Sequence, residues 1–99
     1  GSKMAEEQKL QKKILDKLKE IPNCKAVKIT VSNEKGIPDI HVCWNGYYIV
    51  LEIKASSGKV APAQKSQLRR YADAGALSAV VSSLDEFDMV IRNLEKIYD

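Results

Sequence analysis

Residues 36–55, GIPDIHVCWNGYYIVLEIKA, contain the signal that decides the fold. An Asn-Gly dipeptide at positions 45–46 separates two runs that are rich in β-branched and aromatic residues. This pattern is typical of a β-hairpin, because a two-residue type I′ turn needs positive φ at both central positions. The sequence therefore predicts one strand over about 39–44 and a second over about 47–54.

The length of this turn fixes which residues of the hairpin face each other. A two-residue turn pairs Trp44 with Tyr47, and the same register places Asp39 opposite Glu52. Directly opposed residues share one face of a sheet, with Cβ atoms about 4.5–5.5 Å apart. Lys54, two residues beyond Glu52, lies on that face too. The other face is wholly apolar and is expected to be buried; it comprises Ile40, Val42, Trp44, Tyr47, Ile49, Leu51 and Ile53.

Two carboxylates opposed at this distance repel each other unless something compensates their charge. One of the acids could hold a proton, Lys54 could neutralise one of them, or a divalent cation could lie between both. Mg²⁺ and Mn²⁺ suit such oxygen ligands, because they keep several waters and bind through one or two carboxylates plus substrate phosphate. A structural Lys–Glu–Asp cluster without metal is the alternative, and the hairpin alone leaves these readings open.

The remaining elements are predicted from periodicity and breaker residues. Apolar residues spaced three and four apart indicate an amphipathic helix over 5–20, and strict alternation over 26–32 indicates a strand. A second helix is expected from Pro62 to about Ala74, then a strand over 77–82 and a last helix. The order α-β-β-β-α-β-α predicts an α/β fold with a mixed sheet, because a strand–helix–strand passage favours a parallel neighbour.

Each of these elements has a face that is expected to be buried. The strand over 26–32 is predicted to bury Val27, Ile29 and Val31. The second helix is predicted to bury Leu68, Tyr71 and Ala72. The last helix is predicted to bury Phe87, Val90, Ile91, Leu94 and Ile97.

Composition favours one globular domain. The 99 residues are 44% hydrophobic and 29% charged, values that are ordinary for a domain of this size. Gly1-Ser2 resembles the remnant of a cleaved tag, so residues 1–4 are expected to form a disordered start and residues 5–99 the domain. No stretch has the length of a membrane span or a signal peptide. The expected location is the cytoplasm of a bacterial or phage-infected cell, with both cysteines reduced.

The net charge of +3 conceals an asymmetry along the chain. Residues 1–70 hold 14 Lys and Arg against 7 Asp and Glu, a net charge of +7, while residues 71–99 have a net charge of −4. A basic first part of this kind fits an anionic partner such as nucleic acid. A solvated surface of mixed charge is the alternative reading.

Several motifs together resemble a known nuclease family. Pro38-Asp39 followed by Glu52-Ile53-Lys54 resembles the PD-(D/E)xK nuclease signature. More of the chain is similar to one branch, the VRR-NUC (virus-type replication–repair nuclease) domain, and the resemblance covers roughly residues 7–92. Its motifs are matched by E-x-x-hydrophobic-Q at Glu7–Gln11, G-x-P-D at Gly36–Asp39, E-x-K at Glu52–Lys54, and Gln64 eleven residues before Gly75.

The resemblance implies a restriction-endonuclease-like α-β-β-β-α-β core followed by a C-terminal helix, and a nuclease that depends on Mg²⁺ or Mn²⁺. In such a site Lys54 would position the attacking water, and Gln64 would orient Lys54 or that water. The implied catalytic set is Glu7, Asp39, Glu52, Lys54 and Gln64. The implied metal ligands are Asp39, Glu52, the backbone carbonyl of Ile53, and Glu7.

The expected substrate is branched DNA such as a Holliday junction, cleaved by a homodimer, because stand-alone VRR-NUC domains resemble junction resolvases. A flap or general DNA nuclease is the alternative, as is a module of the same fold that binds branched DNA without cutting. The candidate phosphate contacts, with solvated charge as the alternative, are Lys59, Lys65, Arg69, Lys9 and Lys13.

Two residues near this site have no role assigned by the motifs. His41 shares the face of Asp39 and could contact substrate or move a proton, but a half-buried strand residue is the simpler interpretation. Tyr48 lies near the hairpin tip and could stack on a base or pack against the protein.

Overall fold

The structure, a computed structural model, describes residues 2–56 and 58–98 and has the predicted element order. The elements are α1 (Lys3–Lys19), β1 (Cys24–Lys28), β2 (Ile40–Trp44), β3 (Tyr47–Ile53), α2 (Pro62–Asp73), β4 (Leu77–Val81) and α3 (Leu84–Tyr98). The strands form one sheet in the order β1-β2-β3-β4. The first three strands are antiparallel and β4 runs parallel to β3, so the predicted mixed α/β fold is confirmed.

The hairpin has the predicted turn and register. Asn45 and Gly46 have φ values of 51° and 85°, as a type I′ turn requires. Trp44 pairs with Tyr47, and the ladder continues to the pair of Ile40 and Leu51. The Asn-Gly turn therefore determines which side chains of β2 and β3 lie on each face.

The hydrophobic core lies between one face of the sheet and the helices α1 and α3. Ile14 of α1 and Phe87 of α3 are almost completely buried there, together with the apolar face of the hairpin. Helix α2 packs on the opposite face, over β3 and β4, where the Ser78 hydroxyl donates to the Leu68 carbonyl at 2.9 Å. The sheet is thus covered on both sides near β3 but on only one side at β1. None of the described helices combines the length and apolar character that crossing a bilayer requires.

The buried face predicted for the first strand is wrong. Strand β1 ends at Lys28, and Ala26 is buried while Val27 is 43% exposed and Val31 is 88% exposed. The reason is the register, which pairs Ala26 with the core-facing Val42. Val27 therefore points to the other face of the sheet, at an edge that α2 does not reach. Alternation identifies a strand but cannot say which of its faces the partner strand will turn inward.

Three further burial predictions need correction. Helix α2 has no fully buried residue: Leu68 and Tyr71 are half-buried and Ala72 is exposed, because this helix lies at the surface of a small domain. Tyr47 belongs to the apolar face but is 39% exposed because it borders the turn, and Ile97 is 56% exposed because it lies beyond Leu94, the last core residue of α3.

The first helix also starts earlier than predicted. Helix α1 begins at Lys3 rather than near residue 5, and the Ser2 hydroxyl accepts the Ala5 N–H at 3.1 Å. The predicted disordered start therefore does not hold for residues 2–4, while Gly1 lies outside the described residues.

Candidate active site

Asp39 is held between two strands just before β2 begins. Its Oδ2 accepts the backbone N–H of Ile53 at 2.8 Å, and its own carbonyl accepts the N–H of Ile29, also at 2.8 Å. The carboxylate thus extends the hydrogen bonding between β2 and β3 beyond the last paired residues. Because Ile53 lies between Glu52 and Lys54, this contact fixes Asp39 next to both.

Glu52 is a buried carboxyl, only 1% exposed. Its Oε2 accepts a hydrogen bond from Nε2 of Gln64 at 3.2 Å and lies 3.6 Å from Nζ of Lys54. Burial, and after it the neighbouring Asp39 carboxyl, raise the pKa of Glu52 to about 8, while Lys54 acts in the opposite direction. The Oε1 atom is buried and has no hydrogen-bond partner among the residues that the structure describes.

The start of α2 orients Gln64. Its Oε1 accepts the backbone N–H of Ala61 at 2.9 Å, which fixes the side-chain amide so that Nε2 points towards Glu52. Gly36 packs against this first turn: a Cβ at Gly36 would lie 2.7 Å from the backbone carbonyl of Ala63. The G-x-P-D loop and the glutamine therefore belong to one packed unit, although 25 residues separate Asp39 from Gln64.

Lys54 directly follows β3, and Glu7 of α1 contacts the chain at the next residue, Ala55. The Lys54 side chain is only 13% exposed, and its backbone N–H continues the ladder to the Val81 carbonyl at 3.0 Å. Glu7 comes from α1, where its Oε1 accepts the N–H of Ala55 at 3.3 Å. The fold thus brings together Asp39, Glu52, Lys54 and Gln64, while Glu7 contacts the backbone one residue beyond Lys54, and the roles of all five remain predictions.

These residues suit a divalent cation held by oxygen ligands. A cation between Asp39 and Glu52 would relieve their repulsion and give the bare Oε1 of Glu52 a partner. Within residues 2–56 and 58–98, no three His, Cys, Asp or Glu side chains gather into a set that could hold a metal. The ion would therefore also need water, backbone or substrate oxygens, and the ligand roles of Glu7 and the Ile53 carbonyl stay predictions.

The overall architecture can be compared with solved structures. A structure described as "VRR_NUC domain" matches 88% of this chain and 95% of its own, with a TM-score of 0.77 and 25% sequence identity. A second, described as "VRR_NUC domain protein", matches 87% of this chain and 84% of its own, with a TM-score of 0.71 and 20% identity. The chain has the fold of a VRR-NUC domain. No protein-family model matches the sequence, and no curated protein matches it significantly.

In this VRR-NUC fold the predicted DNA-binding cations fall into two groups. Lys9 and Lys13 line an open groove of about 440 Å³ that also contains Lys54, with Glu6 and Asp85 among its other lining residues. The second group follows β3 and lies on the exposed surface; it comprises Lys59, Lys65 and Arg69. The first group therefore shares a groove with Lys54, a residue of the predicted catalytic set.

Two features of this region of the protein differ from the sequence-based predictions. Tyr71 was predicted to be a core residue, but it contacts His41 and stacks with Tyr48 on the face that carries the carboxylates. The spacing held a clue, because Tyr71 follows Gln64 by seven residues, two turns along the same face of α2. His41 itself is 9% exposed, more buried than predicted, and burial lowers its pKa.

Proposed function

We propose that this protein is a metal-dependent, structure-selective endodeoxyribonuclease that hydrolyses phosphodiester bonds in branched DNA such as Holliday junctions. The observation that carries this proposal is the convergence of the Asp39 and Glu52 carboxyls beside Lys54, with the pKa of Glu52 raised to about 8. A buried acid beside a second carboxyl is costly to maintain, and such costs are typical of functional sites. The VRR-NUC fold supports the same reaction class.

Each residue of the cluster has a chemical role in this proposal. Asp39 and Glu52 would hold Mg²⁺ or Mn²⁺, with the Ile53 carbonyl and Glu7 completing or orienting the site. A bound divalent ion supplies charge stabilisation at the phosphate and lowers the pKa of a bound water. Lys54 places a compact positive charge where negative charge develops on the phosphate. Gln64 holds Glu52 through a neutral hydrogen bond that adds no charge to the site.

The groove beside the cluster offers a path for the DNA backbone. Lys9 and Lys13 project from α1 into the groove that also contains Lys54, so phosphates on one side of the scissile bond would meet a row of ammonium groups. Lys59, Lys65 and Arg69 are the candidate contacts on the other side. Such contacts position a duplex without reading its bases, which fits selectivity for DNA shape rather than sequence.

A homodimer would place two such sites against the two strands of a symmetric junction. The chain is short and offers little room for a separate junction-reading module. Helix α3 directs Phe87 and Leu94 into the monomer core but leaves Met89 and Ile97 exposed. These two exposed apolar residues are candidate contacts for a partner subunit.

A cleavage panel tests the activity. Four-way junction, flap, splayed and duplex DNA are incubated with the protein at fixed salt, with Mn²⁺, Mg²⁺ or EDTA. We expect cutting of branched substrates only with metal, and sedimentation should find a dimer at micromolar concentration. Preferential cleavage of flap or duplex DNA would instead support a flap or general DNA nuclease. Tight binding to the junction without cleavage in either metal would support a module that binds branched DNA without cutting it.

Two substitutions test the site. Asp39→Asn should abolish Mn²⁺ binding in calorimetry, whereas Asp16→Asn, which alters an exposed acid paired with Lys12, should leave it unchanged. Lys54→Ala should keep DNA binding and lower the cleavage rate about a hundredfold or more. Undiminished cutting by the Lys54 variant would refute its role, and equal Mn²⁺ binding by both Asp variants would refute the metal site.

A further inference from the structure

Three rings form a fixed aromatic cluster on the face of the sheet that carries the carboxylates. Nδ1 of His41 lies 2.6 Å from the hydroxyl of Tyr48, which places the two groups in a hydrogen bond. The Tyr48 and Tyr71 rings are parallel to within 8°, with centroids 6.2 Å apart, and His41 meets both edge-on. Tyr48 is therefore held by a hydrogen bond at its tip and by a second ring beside it.

This cluster lies in line with the proposed active site. Asp39, His41 and Cys43 are alternate residues and share a face, and Tyr48 pairs with Cys43. At about 3.4 Å per residue, the position of Tyr48 is about 14 Å from that of Asp39 along the sheet. A nucleic-acid strand with its phosphate at Asp39 would reach Tyr48 within about four nucleotides even at the 3.4 Å spacing of a stacked strand, and within fewer where the strand is extended.

The chemistry of this surface suits a nucleobase. Tyr48 remains 45% exposed although its hydroxyl is bonded to His41 and its ring stacks with Tyr71, so a fixed aromatic side chain is accessible to a ligand. Lys25, which pairs with Cys43 beside Tyr48, and Arg70, next to Tyr71, are both exposed cations. An aromatic plane flanked by cations and continuous with a phosphate site matches the requirements of single-stranded nucleic acid better than those of a peptide.

We propose that the Tyr48–Tyr71 pair receives an unpaired base of the DNA strand whose phosphate occupies the Asp39–Glu52 site. The inference rests on the proposed nuclease function and narrows its substrate to branches with an unstacked nucleotide near the scissile bond. A fully paired duplex would leave the two tyrosines unused, because its bases stay stacked on one another.

Binding to a single strand in the absence of metal tests this proposal separately from cleavage. The wild-type chain in EDTA is titrated against a labelled oligothymidylate of about a dozen nucleotides, and then against a duplex of equal length, by fluorescence anisotropy. Tyr48→Ala and Tyr71→Ala should each weaken single-strand binding on the order of tenfold and leave duplex binding nearly unchanged. Tyr48→Phe keeps the ring and should stay within about twofold of wild type.

Met89→Ala is the control, because Met89 is an exposed residue of α3, which lies on the other side of the sheet from the tyrosines, and its loss should not affect binding. If Tyr48→Ala binds the single strand as wild type does, or if it weakens single strand and duplex equally, the proposal is overturned. Photo-crosslinking of an iodouracil-substituted oligonucleotide to the wild-type protein avoids any folding defect in the variants. Crosslinks should map to Tyr48 or Tyr71, and crosslinks confined to other residues would overturn the proposal as well.

Discussion

Glu52 links the stability of this protein to the chemistry of its site. The side chain is 1% exposed, and burial together with Asp39 raises its pKa to about 8 from an ordinary value of 4.5. Between these two values the folded protein binds a proton that the unfolded chain has released. The stabilisation that this proton gives the folded state is fully present below about pH 4.5. It decreases as the pH rises and is lost once the pH has passed about 8.

Replacing Glu52 with Gln should remove this pH dependence. In EDTA, the wild-type Tm should fall between about pH 5 and about pH 8, corresponding to a few kcal/mol of unfolding free energy, because each pKa unit contributes about 1.4 kcal/mol. The Glu52→Gln variant should show a much flatter profile, since its amide does not titrate. Thermal unfolding followed by circular dichroism measures both profiles.

Glu20→Gln serves as the control for this experiment, because it alters an exposed acid at the end of α1 and should keep the wild-type slope. Added Mn²⁺ should reverse the trend for the wild type, since an ion competes with the proton for Glu52 and binds more tightly as the pH rises. A wild-type Tm that stays constant or rises with pH in EDTA would contradict the raised pKa.

At the scale of elements, the contact between the G-x-P-D loop and α2 builds the site. Gly36 has a φ of 77°, and any Cβ there would meet backbone atoms of Ala63 and Gln64 at 2.7–2.9 Å. A backbone neighbour cannot move aside as a flexible side chain could. The glycine therefore lets the loop that carries Asp39 lie directly on the turn that carries Gln64.

Gly36→Ala should be far more damaging than an alanine at another left-handed position. Gly46 has a similar φ of 85° but nothing within 4 Å of its Cβ position, so Gly46→Ala isolates the conformational cost. We expect about 1 kcal/mol for Gly46→Ala and about 3 kcal/mol for Gly36→Ala, which adds the steric clash. Urea unfolding compares the two, and equal losses would mean that the loop can move away from α2 without cost.

The sequence determined these elements to different degrees. Asn45-Gly46 permits one short turn, and that turn fixed the register of β2 and β3 and hence the meeting of Asp39 with Glu52. No comparable signal fixed β1, where valines alternate but the small Ala26 faces the core. The contact of Tyr71 with His41 and Tyr48 could not be predicted either, because it depends on how α2 packs against the sheet.

At the scale of the whole molecule, one core joins α1, the sheet and α3. Its radius of gyration of 12.9 Å is that expected for about 100 residues. Phe87 is 1% exposed and is among the largest fully buried side chains, while Met89, two residues later on the same helix, is 58% exposed. The monomer fold therefore depends on α3 through one of its faces only.

Phe87→Ala should destabilise the protein by about 3–5 kcal/mol, because it removes a large buried ring and leaves a cavity. Met89→Ala should change the stability of the monomer by less than about 0.5 kcal/mol. Chemical unfolding of both variants checks this, and comparable losses would show that α3 is buried on its outer side as well. If Met89 lies in the proposed dimer interface, its variant should instead weaken self-association in sedimentation.

The two outer strands of the sheet differ in a way that bears on aggregation. Strand β1 carries the exposed Lys25 and Lys28. Lysines on an edge strand disfavour hydrogen-bonded pairing with a strand of another molecule. Strand β4 at the other border, Leu77–Val81, has no charged residue, and its Val80 is 41% exposed. If partly unfolded molecules associate into fibrils, we expect the first intermolecular strand pairing to form at the β4 edge.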